Sequence, residues 1–182
     1  MSELNTEYSF VNYNVEDRNK LAVSAAEAII ESPGIAYNPL FICGDKGTGK
    51  THLLNAIGLS YIEHNPDKKI LFITIDELVT KIINALRDNS ESTMFEDIFS
   101  GDVLLVDDVH CLSGRNIVQD VFLEIFDYYF NHHKQIVLIS NTEPCLINNI
   151  QERLRARFSY GMIVTTQQRD NHHFKQYQKP IY

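Results

Sequence analysis

Short apolar runs alternate along this chain with longer stretches whose apolar residues recur every three or four positions. The runs are PLFICG, KILFITI, DVLLVDD, QIVLISN and GMIVTT, built from Ile, Val, Leu and Phe with little polar alternation. Such runs predict strands covered on both faces. The amphipathic stretches predict helices over Arg18 to Glu31, Lys50 to His64, Asp76 to Arg87, Asn116 to Asn131 and Ile147 to Phe158. Pro33 and Gly34 in ESPG stop the first helix, and Asp76 is placed to N-cap ELVTKIINAL. Alternating β and α elements imply an α/β protein with a mostly parallel sheet and helices on both faces. There is no internal repeat and no low-complexity tract. The polar ending QQRDNHHFKQYQKPIY has no helical period, so residues 1–166 are expected to form the core and 167–182 a loose tail.

Composition narrows this picture only a little. The chain has 182 residues, 44% hydrophobic and 22% charged, which suits one ordinary soluble domain. No apolar run approaches the roughly 20 residues that span a bilayer. MSELNTEYSF has neither the basic start nor the apolar centre of a signal peptide, so a cytoplasmic protein is expected. The three cysteines, Cys43, Cys111 and Cys145, form no CxxC pair and read as buried free thiols in a reducing compartment. The net charge of −8 changes more. Proteins that hold duplex DNA by its backbone usually carry the opposite balance, so any DNA contact must be local or made by an assembly.

The chemistry concentrates at strand ends. Gly44-Asp45-Lys46-Gly47-Thr48-Gly49-Lys50-Thr51 fits GxxxxGK[ST] at every fixed position, between an apolar run and the helical THLLNAIG. Glycines let such a loop turn its N–H groups around phosphates, and the following helix adds its dipole. Lys50 then bridges the β- and γ-phosphates, and the Thr51 hydroxyl meets Mg2+. A chance glycine-rich turn is the bland alternative, and the flanking elements weigh against it. DVLLVDD ends in Asp107, a carboxylate at the sheet edge where α/β proteins bind ligands, and Asp107 is a candidate Mg2+ ligand. Asp108 is placed to orient or deprotonate the attacking water, or else is a capping or loop carboxylate. IVLISN ends in Ser140 and Asn141, and a polar residue there positions water near the γ-phosphate if its strand lies between the other two. In QERLRARF, Arg153 and Arg157 share a helical face. An arginine finger and a solvated basic helix paired with Glu152 stand level on spacing alone. The pairs His132-His133 and His172-His173 lack nearby carboxylates or thiols at ligand spacing and read as surface histidines.

NKLAVSAAEAIIESPGIAYNPLFICGDKGTGKTHLLNAIG, INALRDN, DVLLVDDVHCLSGRN, KQIVLISN and ERLRARFSYGMIV together resemble the ATPase core of the DnaA family, bacterial replication initiators of the AAA+ class. The resemblance runs from about residue 7 to residue 166. It implies a three-layer P-loop NTPase with a five-stranded, mostly parallel sheet. It implies ATP or ADP with Mg2+ on Gly44, Gly47, Thr48, Gly49, Lys50, Thr51 and His52, the metal at Thr51 and Asp107. Asp107 and Asp108 match the Walker B pair. Asn141 falls at the sensor-1 position, where the family more often has Asp. Arg157 matches the arginine finger, with Arg153 a second inter-subunit candidate.

The resemblance further implies a helical excursion, TKIINALRDNSESTMFEDIF, that tracks single-stranded DNA through Ile83, Leu86 and Arg115. The bland reading makes Ile83 and Leu86 core residues. The sequence ends at Tyr182 without the family's helical lid, sensor-2 arginine or duplex-binding domain, so a lid-less core with weak ATPase activity is expected. Its expected role is in initiation of chromosomal replication, self-associating or joining full-length DnaA. The alternatives are a regulatory paralogue that binds replication proteins rather than DNA, a helicase-loader-like ATPase, and more remotely a small-molecule kinase.

Overall fold

The computed structural model describes residues 3–167. Five strands form one sheet: β1 (Leu40–Cys43), β2 (Ile70–Thr74), β3 (Val103–Asp107), β4 (Gln135–Ser140) and β5 (Met162–Thr165). All neighbours pair in parallel, in the order β2-β3-β4-β1-β5. The helices are α1 (Lys20–Glu31), α2 (Lys50–His64), α3 (Ile75–Asp88), α4 (Glu91–Phe99), α5 (Asn116–Asn131) and α6 (Glu152–Phe158).

Alternation along each strand divides the interior. Leu40 and Ile42 of β1 join Leu105, Val137 and Ile139 beneath α1 and α2, around Ala26, Ile29, Leu53 and Leu54. Phe41 and Cys43 point the other way and join Leu104, Val106 and Leu138 beneath α3 to α6. Both faces of the sheet are thus covered, which is why the strands read as continuous apolar runs. The result is the expected three-layer α/β/α sandwich.

Four local expectations need correction. The N-cap of α3 is Thr74, not Asp76: the Thr74 hydroxyl accepts from Glu77 N at 3.1 Å while the Glu77 carboxylate accepts from Thr74 N at 2.9 Å. This reciprocal capping box starts the helix earlier, leaving the Asp76 carboxylate to pair with Arg115 at 2.8 Å. The stretch from Ile147 is not one helix. A 3-10 turn at Pro144–Leu146 leads into an irregular segment, and α6 starts only at Glu152. The buried Gln119 side chain supplies the missing backbone partners, donating to Leu112 O and Asn149 O and accepting from Gln151 N. Ile147 and Ile150 are buried there without helical structure. The thiols also differ from expectation: Cys43 is buried, Cys111 half-buried and Cys145 exposed. Finally, Ile83 and Leu86 are 58% and 54% exposed, whereas their neighbours Ile82 and Ala85 are buried. The core reading of those two residues therefore fails.

Residues 168–182, with His172 and His173, lie outside the described residues. Among the described residues no helix is long and apolar enough to cross a membrane.

Thr74→Ala should destabilise the protein by about 1 kcal/mol in urea unfolding, because it removes one half of the capping box. Asp76→Ala should cost less, since its ion pair is on the surface.

Candidate functional site

Parallel pairing brings the polar strand ends to one edge. Cys43 at the end of β1 stands opposite Ser140 of β4 and Thr165 of β5, and Asp107 of β3 stands opposite Thr74 of β2. The loop of residues 44–49 leaves this edge and enters α2. Gly44, at φ 153°, sits where a Cβ would come within 2.5 Å of the Thr166 hydroxyl. Gly47, at φ 83°, faces open space, with nothing within 4 Å of a Cβ position. The loop therefore needs glycine for two reasons, crowding on one side and backbone conformation on the other.

The loop is braced from its flank. Thr48 Oγ1 lies 2.9 Å from Asp45 O and 2.6 Å from Thr166 Oγ1, and Asp45 N donates to Gln167 Oε1 at 2.6 Å. Nothing in the sequence pattern marks Thr166 and Gln167 for this role. Their part follows from β5 lying beside β1, a neighbour relation that hydrophobic patterning does not specify. Gly49 has no side chain to cap α2, so the first-turn N–H groups of that helix remain available beside the loop.

Three side chains converge there. Lys50 is only 6% exposed, and its Nζ donates to Asp45 O at 2.8 Å. Thr51 Oγ1 donates to Asp107 Oδ2 at 2.9 Å, joining the loop to the end of β3. Burial lowers the Lys50 pKa, opposed by the carboxylates of Asp107, Asp108 and Asp45. Burial and then the charge of Asp108 push Asp107 up to about 6, opposed by the Thr51 hydrogen bond. A buried ammonium, a buried carboxylate and a hydroxyl between them fit a phosphate with a hard cation, whose charges offset both desolvation penalties.

Asp108 follows in the left-handed region, φ 58°, ahead of the 3-10 turn Val109–Leu112. It occupies the N-cap position of that turn without a side-chain capping bond, and its side chain is half exposed. Asn141 Nδ2 contacts His110 Nε2 at 3.0 Å, and His110 Nδ1 lies 3.8 Å from Asp108 Oδ1. The imidazole thus stands between Asp108 and Asn141, a link that adjacent letters in the sequence did not reveal. β4 does lie between β1 and β3, as the water-positioning reading of Asn141 requires.

Other expected residues lie apart. The His52 ring stacks on Tyr8 at 4.8 Å, meets Tyr13 edge-on at 5.1 Å, and its Nε2 contacts Ser9 O at 2.9 Å. The N-terminal segment is thereby fastened to the helix that follows the loop, which the sequence reading missed. Arg153 is exposed, near Gln151 and Asp120, while Arg155 rather than either finger candidate pairs with Glu152. Arg157 is held by Asp127 of α5 at 2.7 Å. It lies just before β5, hence at the edge of the sheet where strands begin, opposite the loop. Arg115 pairs with Asp76, which shares a stripe of α3 with Ile83 seven residues on.

A glycine-rich phosphate loop after β1 and an acidic pair at the end of β3, on this strand order, define a P-loop NTPase of the AAA+ class. The chain belongs to the bacterial DnaA ATPase domain family, whose model matches residues 4–165. It is 43% identical over 165 residues to the chromosomal replication initiator protein DnaA of Deinococcus deserti, covering 90% of this chain and 36% of that protein. Domain III of the Thermotoga maritima replication initiation protein DnaA superposes with a TM-score of 0.87 at 34% identity, over 90% of this chain and 68% of that one. A replication initiator DnaA bound to AMPPCP and single-stranded DNA gives a TM-score of 0.88 at 33% identity, over 93% of this chain and 52% of that one. The chain thus spans little more than a third of the length of the curated relatives it matches.

For Asp107 the folded pKa of about 6 exceeds the unfolded value of about 3.9, so the folded state binds more protons between them. In metal-free protein this residue should make stability fall as pH rises from about 4 to 6. Asp107→Asn should flatten that part of the urea-unfolding profile and leave the protein at least as stable as wild type at pH 7; a variant less stable there would contradict the assigned sign.

Proposed function

We propose that this chain is an ATP- and Mg2+-binding switch that acts in the initiation of chromosomal replication through nucleotide-dependent assembly. The observation that carries the reading is the Thr51–Asp107 hydrogen bond beside the buried Lys50. An ammonium and a hydroxyl–carboxylate pair on one strand edge support this reading, since a nucleotide triphosphate and its metal call for those groups together. Thr51 and Asp107 would hold Mg2+, which when bound offsets charge on the phosphate oxygens. Lys50 and the N–H groups of the loop and first turn of α2 bind and orient the phosphates. Asp108 and Asn141 orient the attacking water, with His110 between them.

Completion of the site falls to another subunit. Arg157 lies at the opposite end of the strands from its own loop, so its guanidinium serves a neighbour's phosphates in a head-to-tail assembly of this chain or with full-length DnaA. Single-stranded DNA is the proposed ligand of the α3 stripe. The exposure of Ile83 and Leu86 supports this, as does the neighbouring Arg115. The net charge of −8 makes such a contact weak for one subunit and favours binding by an assembly.

Lys50→Ala should abolish binding of fluorescent ATP, and undiminished binding would sink the loop assignment. Titrating ATP together with a labelled single-stranded oligonucleotide at low salt should give strand binding that depends on ATP. Binding of ATP with no strand binding would instead favour a regulator that docks on other replication proteins.

A further inference from the structure

Of the two arginines on one face of α6, only Arg157 is clamped. Its Nε donates to Asp127 Oδ1 at 2.7 Å and its Nη2 to Asp127 Oδ2 at 3.4 Å, a bidentate grip from α5. Its Nη1 donates to the Tyr160 hydroxyl at 2.7 Å, and its Cζ lies 5.1 Å from the centre of the Tyr160 ring. That ring in turn packs against Phe130 of α5, 5.8 Å between centroids. Arg153, by contrast, is 69% exposed and reaches only Gln151 at 3.2 Å and Asp120 at 3.5 Å.

Anchoring α6 does not explain the clamp. Leu154 and Phe158 are fully buried, Gln151 is bonded to Gln119 and Asp120, and Arg155 reaches Ile147 O. The count of donors is more informative. A guanidinium has five N–H groups; Asp127 takes two and Tyr160 one, leaving one on each terminal nitrogen. Neither has a partner among the described residues, and a terminal guanidinium N–H is a donor that can grip an anion. The side chain keeps 29% of its surface exposed, so the free edge has access to solvent.

We propose that Asp127 and Tyr160 are positioning residues for Arg157, holding its guanidinium so that a second copy of this chain can place a nucleotide phosphate on the two unused N–H groups. This rests on the reading of Arg157 as a finger. An unclamped arginine has many rotamers and would lose that freedom on each encounter, whereas the clamped one arrives already oriented. The carboxylate of Asp127 also subtracts positive charge from the guanidinium, so removing it has two opposed effects. We take the loss of orientation to be the larger of the two.

The test is the ATPase rate per subunit of the 182-residue chain, with Mg2+ and saturating ATP, as a function of protein concentration. Wild type should accelerate as concentration rises. Arg157→Ala should lose that acceleration, by up to the order of a thousandfold for a finger. Asp127→Asn should lower it on the order of tenfold, in kcat and not in the fluorescent-ATP affinity of dilute protein. Tyr160→Phe, which keeps the ring, should lose less, and Asp127→Glu should recover most of the rate. Thermal unfolding of Asp127→Asn confirms that the variant is folded under assay conditions, and Tyr160→Phe reports on the same clamp if it is not. Acceleration equal to or above wild type in Asp127→Asn, with loss in Arg157→Ala, overturns the positioning role and leaves the finger standing. Undiminished acceleration in Arg157→Ala overturns both.

Discussion

The parallel register of β1 with β4 and β5 determines where each reactive group of this protein lies. Because Cys43 is level with Ser140 and Thr165, the residues that follow all three strands emerge at one height. The phosphate loop, Asn141 and the Thr166–Gln167 brace are therefore neighbours despite wide separation in the chain. β3, one strand further across, brings Asp107 to the Thr51 hydroxyl at the same edge. A slip of one residue in any of these pairings would turn core side chains to the wrong face and break the edge at once. The two apolar layers are what hold that register, so the chemistry of the site depends on packing some distance below it.

The charges at the edge are costly in the free protein. Lys50 and Asp107 are both buried, and each is pushed toward its neutral form. Thr51 and the Asp45 carbonyl relieve part of that cost by hydrogen bonding. A bound nucleotide would relieve more of it and so add to stability. The same logic separates Asp108 from Asp107. Half exposed on a left-handed residue, Asp108 is solvated and can face a reacting water, whereas Asp107 is enclosed and suited to a fixed ligand.

Much of this was legible in the sequence, for physical reasons that also mark where legibility ends. Continuous apolar runs identify strands buried on both faces, and α2 and α5 begin and end where their amphipathic stretches do. The loop is readable because glycine, lysine and threonine each meet a separate demand of phosphate binding. Contacts that join distant segments were not readable. Gln119 replaces helical hydrogen bonds with side-chain ones, so Ile147 to Gln151 looked helical from apolar spacing alone. Thr74 outcompetes Asp76 as a cap because its partner Glu77 is in place to reciprocate. The exposure of Ile83 and Leu86 depends on which stripe of α3 the sheet covers, and spacing gives the stripe without its direction.

One consequence follows from the loop and Arg157 lying at opposite edges of the same sheet. A contact between unlike edges can be made twice over by an antiparallel two-fold pair, or be repeated head to tail along a row of copies. If copies add head to tail, as proposed, they give a row with direction. In such a row the terminal loop would have no arginine to meet, so the completed sites would number one fewer than the members. Such a row would have two chemically different ends.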